Sequence, residues 1–133
     1  MIVVDTSVWV DFFNGTKNKQ TDLLDELLGR ERLLIGDLIL TEVLQGFRRD
    51  VEFQRAREML EALEFREMLG KDMAFRSADN YRKLRRAGIT VRKTIDVMIA
   101  TFCVEGRHQL LHADRDFDAM EKHLDLQVVN PKA

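Results

Sequence analysis

The sequence predicts an α/β fold, a three-layer α/β/α sandwich around a parallel sheet. Three observations lead there. Short apolar, β-branched runs alternate along the chain with longer segments whose apolar residues recur at i, i+3 and i+4. Such alternation builds βαβ units, in which a parallel sheet is covered by helices. Turn formers are scarce, with 7 Gly and 1 Pro, which disfavours a barrel or sandwich of many short strands and also a long disordered tail. The chain has 133 residues, 45% of them hydrophobic, enough for one self-sufficient core. No linker, repeat or low-complexity block interrupts it, so residues 1–133 are taken as a single domain.

The elements follow in order. Ile2-Val3-Val4 suits a buried strand. Leu23, Leu24, Leu27 and Leu28 share one face of a helix. Leu33-Leu34-Ile35 before Gly36 is a second strand, after which Asp37 is a plausible N-cap for a helix over Leu38 to Phe47. Phe53, Ala56, Leu60 and Leu63 have helical spacing, and Leu63 to Leu69 is a weaker strand candidate. Ala74, Ala78, Tyr81 and Leu84 mark another helix. Ile95 to Val104 is apolar nearly all round, as in a buried helix, with Thr94 as its cap. Leu110 to Ala113 and Gln127-Val128-Val129 complete the strands.

Charge and compartment narrow the function. The net charge is −2, which excludes a wholesale basic coat for nucleic acid but not a local basic patch. The single cysteine, Cys103, makes no internal disulfide, which fits a reducing compartment. The first residues lack the basic region of a signal peptide, and the densest apolar stretch, Leu33 to Leu44, falls far short of the ~20 residues that span a bilayer. A soluble, cytoplasmic protein with no membrane association is expected.

Most acids belong on polar helical faces, but a few stand in apolar company. Asp5 directly follows the first strand, and Asp114 follows Leu110 to Ala113, so both are expected on one rim of the sheet, where α/β folds bind ligands. Each alone reads equally as a helix cap or turn acid. Asp96 lies within Ile95-Asp96-Val97-Met98-Ile99-Ala100, and Glu42 within Leu40-Thr41-Glu42-Val43-Leu44. An ionised carboxylate in such surroundings is costly unless paired, hydrogen-bonded or metal-bound. Together the acids suggest a shared pocket in which a cation removes their mutual repulsion. All-oxygen ligation selects Mg²⁺, with Mn²⁺ as a substitute, over zinc. Asp116 is close enough to Asp114 to add an oxygen, whereas Asp118 reads as a solvated acid. His108, His112 and His123 form no zinc-binding pattern.

A Mg²⁺ held by carboxylates most often acts on phosphates. Between Tyr81 and Lys93 lie Arg82, Lys83, Arg85, Arg86, Arg92 and Lys93 with no acid among them. That segment reads either as a strip contacting a phosphate backbone or as a solvated helix face and basic loop.

Four segments carry the acids: Val4-Asp5-Thr6-Ser7-Val8-Trp9, Leu40-Thr41-Glu42-Val43-Leu44-Gln45-Gly46, Ile95-Asp96-Val97-Met98-Ile99-Ala100 and His112-Ala113-Asp114-Arg115-Asp116-Phe117. In this order and at these separations the chain resembles the PIN-domain ribonucleases nearly end to end, and most closely the VapC toxins of prokaryotic toxin–antitoxin pairs. The resemblance implies about five parallel strands and metal-dependent endonucleolytic hydrolysis of RNA phosphodiester bonds by a type II toxin. It implies Asp5, Glu42, Asp96 and Asp114 as a catalytic, metal-holding quartet, with Asp116 at a position often acidic in these toxins. Ser7 matches a small polar position that orients the first acid, a part Thr6 is also placed to play. The resemblance further implies a homodimer and a cognate antitoxin inserting a segment near the acids. Trp9, Phe12, Phe13, Phe47 and Phe53 read either as lining its groove or as core. The basic segment is no part of the resemblance.

Other classes of small α/β protein fit less well. A receiver-like Mg²⁺-binding signalling module needs an acidic pair after the first strand, where Asp5 stands alone. A haloacid-dehalogenase-like phosphatase needs a second Asp where Ser7 stands. A non-catalytic PIN-like module remains the alternative reading.

Overall fold

The computed structural model describes residues 1–131 and has an α/β architecture. Its order is β1 (Ile2–Val4), α1 (Thr6–Phe13), α2 (Lys19–Leu27), β2 (Leu33–Gly36), α3 (Asp37–Gln45), α4 (Asp50–Glu61), β3 (Glu64–Arg66), α5 (Lys71–Arg86), α6 (Thr94–Gly106), β4 (Gln109–Leu111) and α7 (Asp116–Leu124). The four strands are parallel, in the order β3-β2-β1-β4. Val3 aligns with Leu34 on one side and Leu110 on the other.

Sheet position explains strand composition. Val3, Val4 and all of β2 are buried, as expected of inner strands covered by helices on both faces. At the edge, β3 exposes Phe65 and Arg66 and carries charge, with Arg32 and Arg66 both bridged to Glu64. The sheet has four strands rather than about five. Val128 makes a single parallel bridge to Leu110, so Gln127-Val128-Val129 adds one rung beside β4 rather than a strand. Pairing does not extend past this rung, and the chain soon reaches Asn130-Pro131, where proline has no ladder donor.

The helices pack as two groups, α1 with α2 and α3, and α5 with α6 and α7. The helix α6 is the most deeply enclosed, with Val97, Ile99, Ala100 and Cys103 fully buried. Trp9 is also fully buried and stacks on Phe13 at 5.9 Å between ring centroids, while Phe12, Phe13, Phe47 and Phe53 are half-buried. Among the described residues no helix is long and apolar enough to cross a membrane.

Several boundaries differ from the sequence reading: β3 is confined to Glu64–Arg66 within the Leu63 to Leu69 candidate, and the helix expected to Phe47 ends at Gln45. Gly36 is extended and caps α3, so Asp37 is already helical; its Oδ1 accepts from the N–H groups of Leu38 (3.0 Å) and Met68 (2.8 Å), tying the segment after β3 to α3. Lys93, not Thr94, is the residue before α6, and no side chain caps that helix. The strand β4 stops at Leu111, so Asp114 lies in a short loop rather than directly beyond the strand.

Gly36 allows β2 and the segment after β3 to approach closely. A Cβ there would overlap the buried Met68 side chain and come within 3.1 Å of the Arg66 carbonyl oxygen. Gly36→Ala is therefore expected to lower the thermal unfolding midpoint by roughly 5–10 °C, as overpacking in a closed core does. A melt followed by circular dichroism checks this, and an unchanged midpoint refutes it.

Candidate active site

The acids converge at the carboxyl end of the sheet because β1, β4 and their neighbours are parallel. Asp5 leaves β1 and caps α1. Its backbone N–H donates to the Leu111 carbonyl at 2.9 Å, continuing the ladder toward β4. Its Oδ2 accepts from the Ser7 hydroxyl at 2.6 Å and the Ser7 N–H at 3.0 Å. Ser7 Oγ also accepts from the Ala113 N–H at 3.1 Å. One hydroxyl thus joins the start of α1 to the loop that carries Asp114. The Thr6 hydroxyl donates to Glu42 Oε1 at 2.8 Å, linking α1 to α3. In the next loop, Asp114 Oδ1 accepts from the Asp116 N–H at 2.9 Å, which starts α7.

Asp5, Glu42, Asp96 and Asp114 line one cavity with Thr6, Ser7, Val10, Asp11, Lys93 and Ala113. Asp96, Asp114 and Asp116 each offer a carboxylate oxygen within 4.8 Å of the other two. Asp5 and Asp96 are only 3% and 4% exposed, and each has one buried oxygen, Oδ1 and Oδ2 respectively, without a hydrogen-bond partner.

The electrostatics follow from that crowding. Burial raises the Asp5 carboxyl above its ordinary value against the lowering effect of the Ser7 hydrogen bonds. Burial, then the nearby Asp5 charge, pushes Asp96 up to about 7, with Asp114 and Glu42 adding to the rise and Lys93 opposing it. Buried carboxyls with empty acceptor positions, gathered at one point, match the all-oxygen donor set that hard divalent cations take. Asp96, Asp114 and Asp116 form a group whose oxygens could hold such an ion, with Asp5 and Glu42 lining the adjoining cavity.

The other expected residues divide. Thr6 and Ser7 both meet acids, so neither substitutes for the other: Ser7 serves Asp5 and Thr6 serves Glu42. The basic segment is not one strip. Lys93 lines the acid cavity, while Arg92 pairs with Asp116 at 3.0 Å. Arg82 and Arg85 border an apolar groove with Leu69, Tyr81 and Met98, the Arg85 guanidinium lying 5.7 Å from the Tyr81 ring centroid. Lys83 and Arg86 are exposed on α5. Asp118 is exposed as expected, His112 packs on Phe117, and His108 is buried against Phe102. Asp11 was not anticipated at the cavity. The signal available was its i+4 spacing from Ser7, which puts both on one face of α1.

Comparison with known proteins adds an independent line. A family model described as PIN domain matches residues 2–123. The chain is 33% identical over 135 residues to Ribonuclease VapC11 of Mycobacterium tuberculosis and to the VapC ribonuclease Mb1587 of Mycobacterium bovis, covering 98% of this chain and of each relative. Its fold is similar to that in a VapBC2 structure from Rickettsia felis bound to a promoter DNA fragment, with a TM-score of 0.75, 17% identity and 98% of both chains covered. It is also similar to a toxin–antitoxin complex from Klebsiella pneumoniae, with a TM-score of 0.74, 20% identity, 99% of this chain covered and 98% of that one.

Proposed function

Since the chain belongs to the PIN-domain family, we propose that it is a Mg²⁺-dependent endoribonuclease, the toxin of a type II toxin–antitoxin pair. The reading takes residues 1–133 as one nuclease domain working in the cytoplasm. Its partners are RNA as substrate, a cognate antitoxin, and a second copy of the chain in a homodimer. One observation carries the reading: acids from four distant segments line a single cavity, and two of them bury oxygens that have no donor. The names of the mycobacterial relatives, ribonucleases both, support the same substrate class.

The chain's own groups divide the work. Asp5, Glu42, Asp96 and Asp114 would hold the ion, with Asp116 beside them. A bound Mg²⁺ supplies charge neutralisation at a phosphoryl oxygen and lowers the pKa of water. The Ser7 hydroxyl fixes the Asp5 carboxylate and ties it to the Asp114 loop. The Thr6 hydroxyl fixes Glu42. Lys93, at the cavity wall, offers a cation to the incoming phosphate.

Purified protein incubated with structured RNA and Mg²⁺ is expected to cleave it. Chelation with EDTA, or Asp5→Asn, is expected to stop cleavage. Cleavage that persists at the same rate in either condition overturns the assignment.

We also propose that Arg82, Lys83, Arg85 and Arg86 on α5 contact the RNA backbone outside the cavity. The double substitution Arg85→Glu, Arg86→Glu is expected to weaken RNA binding by about tenfold or more and to flatten the dependence of log K on log salt by roughly 1–2 units. An unchanged slope in a filter-binding titration returns these residues to a solvated helix face.

A further inference from the structure

Charge alone placed Arg92 among RNA contacts, but its partner in the fold is an acid of the centre. Its Nε lies 3.0 Å from Asp116 Oδ2 and 3.2 Å from Oδ1, and its Nη2 lies 3.0 Å from Oδ1. One planar fork therefore engages both oxygens of that carboxylate. Asp116 also brings an oxygen within 4.8 Å of ligand oxygens on Asp96 and Asp114. It stands between two cation positions, the acid cluster on one side and the guanidinium on the other.

We propose that Arg92 is a positioning residue that keeps Asp116 out of the ion's coordination and thereby limits the centre to one divalent cation. The inference rests on the cation-binding reading above. Two-ion centres hold their ions about 3.5–4 Å apart and need carboxylate oxygens on both sides of the pair. Asp116 brings a carboxylate beside Asp96 and Asp114, and Arg92 already engages both of its oxygens. The guanidinium stays charged at every working pH and matches a carboxylate bidentately. It neutralises Asp116 without demanding the near-octahedral oxygen shell that Mg²⁺ requires. With Arg92 gone, Asp116 would stand as a free acid beside Asp96 and Asp114, and their shared repulsion would be relieved by a further ion. The basic segment then has two distinct parts: Lys93 faces the cavity, and Arg92 covers Asp116 from the solvent side, its side chain 69% exposed against 22% for Asp116.

The test uses Mn²⁺ alone with the full chain and no RNA, by calorimetric titration with free Mn²⁺ counted by electron paramagnetic resonance. Wild type is expected to bind one ion per chain and Arg92→Gln two. Arg92→Lys, which restores the charge, is expected to return to one. The double variant Arg92→Gln, Asp116→Asn is also expected to bind one. Arg92 is exposed, so its replacement should leave the fold intact, and a melt of each variant verifies this. Two ions in wild type, or a single ion in Arg92→Gln, overturns the role of Arg92 and leaves the cation centre standing. No binding by wild type or any variant overturns the cation centre and this inference with it.

Discussion

Asp96→Asn is expected to reduce RNA cleavage at saturating Mg²⁺ by about 10³-fold, a loss near 4 kcal/mol of transition-state stabilisation. Asp96 sits in the first turn of α6, buried, with Oδ2 unpartnered, and one of its carboxylate oxygens lies within 4.8 Å of oxygens on Asp114 and Asp116. Asparagine keeps the shape of the side chain but replaces an anionic acceptor with a neutral amide, half of which donates. A bound divalent cation would then lose one of its charged ligands while the surrounding packing is unchanged. Single-turnover cleavage of a structured RNA measures the effect. A rate within tenfold of wild type would show that Asp96 is no part of the machinery.

The same substitution is expected to stabilise the metal-free protein. The Asp96 carboxyl titrates near 7 in the fold against an ordinary value of 3.8, chiefly because burial disfavours its charge. A raised folded pKa means that stability is greatest below the unfolded value and is lost as pH rises. Between about pH 4 and pH 7 the unfolded chain ionises this group while the folded chain resists, and the loss is complete above pH 7. At pH 8 in EDTA, Asp96→Asn should therefore exceed wild type by about 2–4 kcal/mol, or roughly 10 °C in the unfolding midpoint. At pH 4 the two should nearly coincide. Saturating Mg²⁺ should narrow the gap at pH 8, because an ion bound only by the folded state adds stability to wild type. Equal midpoints at pH 8 in EDTA would show that Asp96 carries no electrostatic strain.

What could be read from the chain depended on whether a feature is periodic or a matter of partners. The helices α2, α4 and α5 follow from apolar spacing, because one buried stripe forces that repeat, and α6 from being apolar nearly all round. The inner strands follow from their short β-branched or leucine runs, whereas β3, half exposed at the edge, has a weaker signature for the physical reason that only one side of it is paired. The rung at Val128 looked like a fifth strand because a three-residue apolar run carries no information about how far pairing extends. The acids were conspicuous through their apolar surroundings, and the parallel sheet brings them to one rim. Side-chain partners were not legible. That the Ser7 hydroxyl reaches the Ala113 amide, 106 positions away, or that Arg92 selects Asp116 rather than solvent, depends on loop geometry that no local pattern encodes.

Asp5, Glu42, Asp96 and Asp114 come from the turn after β1, α3, α6 and the loop before α7, so these distant parts of the chain meet only once the sheet has formed. On the proposed reading, no complete centre exists until these segments have assembled. A protease cut between α1 and α7 that separates these pieces would then abolish cleavage.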